Sequence, residues 1–144
     1  MRSTLAAESG KSMGHTLTHA AIGAVAFTVL DGVWLGLLMK NFYREQLAPI
    51  VRMGDGGMAP NWPAAFVVYA LLGTGIAFFV IPRAATVPAA AAYGALFGLV
   101  VYGVYDFTNY STLRQWPFVV TLSDVAWGTF ATAACATVVR LVVR

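Results

Sequence analysis

Three aspartates fall where an apolar chain tolerates them least. Asp31, Asp106 and Asp124 are half of the six acidic residues in a chain of 144. Each lies within, or at the end of, a long hydrophobic run. A carboxyl group in such surroundings can give and take a proton, and two close together can share one. The stretch VYDFTNYSTLRQWPFVVTLSDVAWG, Val104 to Gly128, holds two of the acids and surrounds them with Thr108, Asn109, Thr112, Arg114, Trp116 and Trp127. Asp106 and Asp124 are the candidate acid–base pair. Asp31, Thr108, Asn109, Thr112 and Arg114 are candidate polar contacts to a ligand, with Asn109 and Arg114 placed to orient a headgroup. Trp34, Trp116 and Trp127 are candidate walls for its apolar part.

The elements that must position these residues follow from composition. The chain is 59% hydrophobic and only 10% charged, with a mean hydropathy of +0.72. Soluble domains are nearer half apolar and a quarter charged. About 20 apolar residues cross the hydrocarbon of a bilayer as a helix, and four segments qualify: 16–39, 62–81, 87–108 and 118–143. Strict two-residue alternation is absent, which argues against a membrane β-barrel. The expected fold is all-α: an antiparallel, integral membrane four-helix bundle. A polar, flexible stretch, 1–15, precedes one membrane domain, 16–144. Lys40 to Arg52 mixes charge with aromatics and predicts a short interfacial helix between helices 1 and 2. MGDGGMAPN predicts a flexible turn. GVWLG, with Gly32 and Gly36, and GALFG, with Gly94 and Gly98, space small residues for close helix contact.

Antiparallel spans give the acids a common side. Asp31 lies eight residues before the end of the first span, Asp106 two before the end of the third, and Asp124 six after the start of the fourth. At 1.5 Å per residue, Asp31 and Asp124 lie roughly 9–12 Å below one face and Asp106 about 3 Å below it. An aspartate at a helix centre costs about 2.5–3.5 kcal/mol on insertion scales, so these face the interior rather than lipid. Asp31-Gly-Val-Trp34 and Asp124-Val-Ala-Trp127 repeat one spacing of acid and indole.

Structural roles compete with chemical ones. The aspartates also serve as interhelical hydrogen-bonding groups, Arg114 as a headgroup contact, and Trp34, Trp62, Trp116 and Tyr43 as an interfacial aromatic belt. His15 and His19 share a helix face, but Asp31 is about 18 Å further along the helix, so no metal is expected. No cofactor motif is present. The net charge of +3 is spread singly at helix ends, which excludes a nucleic-acid footprint. Basic residues divide five against four between the two sides. That leans the N-terminus toward the cytoplasm.

LDGVWLGLL with KNFYREQLA, and GALFGLVVYGVYDFTNYSTLRQWPFVVTLSDVAWGTF, resemble a family of small bacterial membrane proteins known as a domain of unknown function. The resemblance runs from Thr16 to the C-terminus. It implies four membrane helices and no established activity. By the family's Y-D-x-T-N…W-P…D-x-x-W-G pattern, the matching positions are Asp31, Trp34, Tyr43, Asp106, Thr108, Asn109, Thr112, Trp116, Pro117, Asp124, Trp127 and Gly128, which adds Tyr43 to the candidate ligand contacts.

The expected function is binding, with chemical modification an option, of a lipid or small amphipathic molecule in a polar pocket open to one face. Two other readings stand beside it. One is proton-coupled transport by an oligomer, with Asp31 and Asp124 as relay. The other is a non-catalytic subunit that docks on another membrane protein. The expected partners are membrane lipids, an amphipathic ligand, and a second copy or a membrane-protein partner.

Overall fold

The computed structural model describes residues 2–54 and 57–143, with side chains from residue 12 onward. Among these residues, four helices are long and apolar enough to cross a membrane: Ser12–Leu38, Trp62–Arg83, Val87–Thr112 and Phe118–Val142. The all-α membrane bundle is therefore present, with span boundaries close to those read from hydropathy.

Helix α1 spans Arg2–Val33 and continues as a π-helical segment, Trp34–Leu38. The N-terminal stretch expected to be flexible is helical from Arg2, in keeping with the helix-forming run Leu5, Ala6, Ala7 and Glu8. After Met39 the chain turns into α2, Lys40–Gln46, which ends at the Leu47 turn, earlier than the expected Arg52. Strands β1, Met53–Gly54, and β2, Gly57–Met58, pair antiparallel where the sequence predicts a turn. The centre of that turn, Asp55 and Gly56, lies outside the described residues.

Helix α3, Trp62–Gly75, starts on an Asn61 cap whose side chain accepts from the Ala64 N–H. It passes through a second π-helical segment, Ile76–Val80, and a 3₁₀ turn at Ile81–Arg83. Pro82 within that turn has no N–H to continue the helical ladder. Helix α4, Val87–Thr112, starts on a Thr86 cap, and α5, Phe118–Val142, starts at Pro117.

The bundle is two helical hairpins laid together. Helices α4 and α5 share the most extensive contact, α1 packs on α3, and α1 on α5 joins the two pairs. In α4, Gly98 lies against the Gly128 carbonyl and Thr132, and Gly94 lies against Thr132 and Ala136. A side chain at either would push α5 away, so GALFG acts as its spacing predicts. GVWLG does not: a Cβ at Gly32 or Gly36 would meet nothing within 4 Å. The close approach of α1 is made instead by Gly73 of α3, against the backbone of Ala20 and Ala24. Phe27, Ile76, Val80, Ala131, Cys135 and Val139 form the apolar centre. Large exposed side chains such as Val25, Leu71, Phe79, Leu96 and Phe130 cover the outside, as a lipid-facing surface requires.

Candidate functional site

The two Asp-x-x-Trp quartets carry the site. Helix α1 runs toward the face at which α5 begins, so the quartets lie antiparallel and each aspartate comes level with the other quartet's tryptophan. Trp127 Nε1 donates to Asp31 Oδ1 at 2.7 Å. In the reverse direction the link has one more member: Trp34 Nε1 donates to the Tyr43 hydroxyl at 3.1 Å, and Tyr43 donates to Asp124 Oδ1. The two indoles stack with ring centroids 4.3 Å apart and planes 3° from parallel. Stacking of this kind adds about 0.5–1.5 kcal/mol beyond its buried area.

Local structure explains how Tyr43 reaches so far inward. The π-helical turn from Trp34 widens the helix end, its Met39 N–H bonding back to the Trp34 carbonyl at 2.7 Å. Such turns re-aim side chains and recur at functional sites. The chain then folds back, and α2 drops its one buried residue, Tyr43, between Trp34 and Asp124. At 3% exposure, Tyr43 is not a member of a headgroup-level aromatic belt. Trp34 is half-buried in the same assembly, whereas Trp62 is exposed, as a belt residue would be. Burial, followed by the adjacent Asp124 carboxylate, pushes the Tyr43 phenol above its ordinary value, so it acts as a neutral donor.

Asp106 completes the cluster from α4. It is fully buried, and both of its carboxylate oxygens lack a donor. It faces the Asp124 carboxyl group. Two ionised carboxylates hold only acceptors, so a donor between them would have to be a proton or a group of a ligand. Tyr69 of α3 faces Asp31 from the far side. The Tyr102 ring of α4 lies over Gly128, where any side chain would displace it. Neither Tyr69 nor Tyr102 is among the candidate contacts named from the sequence.

The remaining candidates divide by position. Trp116 Nε1 donates to Thr121 Oγ1 at 3.1 Å, and the Thr121 hydroxyl leads on to the Asp106 carbonyl at 3.5 Å. Trp116 also closes a shallow surface recess of about 400 Å³, lined by Tyr110, Ser111, Thr112, Leu113 and Arg114. Thr112 and Arg114 therefore sit at the recess, one wall away from the acids. Asn109 is half-buried with its Nδ2 unpartnered. Thr108 is exposed, and its carbonyl accepts from Ser111 and Thr112, both at 2.8 Å. Asp31 takes an indole donor and Asp124 a phenol donor. Among the described residues, no three His, Cys, Asp or Glu side chains are placed to hold a metal ion.

Comparison with known proteins adds one finding. A family model described as "Predicted membrane protein (DUF2177)" matches residues 16–141. No curated protein matches the chain, and no solved structure does.

Proposed function

The chain belongs to this family of predicted membrane proteins, and from that premise we propose that it binds a lipid or small amphipathic molecule and exchanges a proton with it at the Asp106–Asp124 pair. The observation that carries this reading is Asp106, fully buried with no donor on either oxygen. An ionised carboxylate left so would cost several kcal/mol, and a proton held between two carboxyl groups removes that cost. In the forward step the carboxyl O–H bond breaks as a bond from that hydrogen to a ligand oxygen forms, and that oxygen gives its own hydrogen to the partner carboxylate. The reverse step returns the proton, with no change of oxidation state. The recess beside Trp116, with Arg114 at its edge, is the proposed place of headgroup entry.

Four apolar helices and the family match make this a multi-pass membrane protein in contact with lipids. We propose a bacterial inner membrane, on the resemblance to small bacterial membrane proteins, with the N-terminus in the cytoplasm, on the slight charge asymmetry between the two faces.

Two measurements test the reading. Infrared difference spectroscopy of the reconstituted protein should show a protonated carboxyl band that is lost in Asp106→Asn. Native mass spectrometry of gently solubilised protein should show a discrete bound lipid or metabolite, depleted in folded Asp106→Asn and Asp124→Asn. A resting protein without the carboxyl band would refute the shared proton.

A further inference from the structure

The polar cluster is closed by a piece of the chain itself, and that piece has the chemistry of a ligand. Helix α2 packs on the π-helical segment before it and reaches the rest of the bundle chiefly through Tyr43, its one buried side chain. The Tyr43 hydroxyl makes two bonds of opposite sense: it accepts from Trp34 Nε1 and donates to Asp124. Its ring lies edge-on to Phe42, 5.2 Å between centroids. The space its hydroxyl fills borders the Trp34–Trp127 stack, with a carboxyl acceptor and an indole donor converging on one oxygen. Asp106, buried and without a donor, stands behind that acceptor.

We infer that Tyr43 occupies the ligand site as a built-in stand-in, and that the ligand is a neutral, hydroxyl-bearing amphipath, an alcohol or phenol head on an apolar body. This rests on the proposed acid–base site and names what it takes. A hydroxyl both donates to a carboxylate and accepts from an indole N–H through a single oxygen, whereas an amide divides the two roles between separate atoms. A carboxylate or phosphate can accept from Trp34 but meets Asp124 charge to charge. An ammonium group can donate to Asp124 but offers Trp34 no lone pair. An entering hydroxyl replaces Tyr43 bond for bond, so neither buried partner is left unpaired, the condition on which strong discrimination between polar ligands depends. Displacement swings α2 outward on the Trp34–Leu38 segment and opens the acids to the face where Arg114 lies.

The test uses the full chain in phosphatidylcholine nanodiscs. In Tyr43→Ala, p-cresol should raise the thermal midpoint at concentrations at which toluene and 4-methylbenzoate do not, and it should leave the wild type unmoved. Equal rescue by toluene, or no rescue by p-cresol, overturns the inference. Where Tyr43→Ala does not fold, Tyr43→Phe serves, since it keeps the ring and removes the competing hydroxyl. Dodecanol, followed by tryptophan fluorescence, should bind Tyr43→Phe at least tenfold more tightly than wild type, and dodecanoate should gain nothing. Equal dodecanol affinity in the two proteins overturns it. The infrared carboxyl band separates the two levels: selectivity lost with the band intact refutes the hydroxyl ligand alone, and loss of the band refutes the acid–base site beneath it.

Discussion

Replacing Trp127 by Phe removes the indole N–H together with part of the ring, and tests the crossed arrangement directly. The indole N–H lost is the donor to Asp31, at 2.7 Å and with Asp31 only 8% exposed. Hydrogen bonds to charged groups contribute about 1.5–3 kcal/mol, and neutral ones about 0.5–1.5. Interhelical bonds in lipid run lower, about 0.6 on average and about 1.7 at most. Tyr69 still faces Asp31 after the change, which softens the loss. The expected coupling between Asp31 and Trp127 is therefore about 1–2 kcal/mol. It is read from a double-mutant cycle of Asp31→Ala and Trp127→Phe by reversible unfolding in bicelles. Each single variant strands one buried partner, so the double variant should lose less than the sum. Trp34→Phe sheds similar ring area but breaks a neutral bond at 3.1 Å, and it should show coupling to Tyr43 below about 1 kcal/mol. Additivity of the Asp31 and Trp127 changes within about 0.3–0.5 kcal/mol would refute the reasoning, because the two would then act independently.

Four further outcomes are expected. Gly98→Ala should destabilise by about 1–3 kcal/mol, since the new Cβ meets the Gly128 backbone and Thr132. Gly32→Ala, with open space at that point, should be neutral or stabilising by about 0.5–1 kcal/mol; the same unfolding assay separates the two. The raised Tyr43 phenol gives a stability component that is fully present below the ordinary tyrosine value of 10.0 and is lost as pH rises above it. Tyr43→Phe should flatten that alkaline limb in a pH series of unfolding free energies. Arg114→Gln, exposed in the α4–α5 link, should change stability by no more than about 0.5 kcal/mol while reducing the lipid retained in native mass spectra.

Much of this site is written in residue spacing. Counting 1.5 Å per residue from the common face puts Asp31 at about 12 Å and Trp127 at about 13.5 Å, with Trp34 at about 7.5 Å and Asp124 at about 9 Å. The repeated Asp-x-x-Trp spacing thus contains the crossed pairing once the helices are known to be antiparallel. The same count places Tyr69 at about 10.5 Å on α3, level with Asp31, a signal available but easily overlooked in a span with no charge. Tyr43 was not legible in this way. Its burial depends on a π-helical turn at Trp34–Leu38 and a reversal at Met39, neither of which hydropathy encodes. Nor does spacing distinguish Gly94 and Gly98 from Gly32 and Gly36. Both pairs are four residues apart, and only the facing helix decides which pair is used.

The crossing of the hairpins also bears on how the protein is made. Asp31 enters the bilayer with the first helix, yet its indole donor comes 96 residues later. At about 5–20 residues per second, the aspartate spends roughly 5–20 seconds in or near lipid before Trp127 emerges. During that interval the nascent chain carries an acid that neither lipid nor its own first hairpin fully satisfies. A chain stopped before α5 would lack the Trp127 donor to Asp31, so the site is complete only when the last helix is in place.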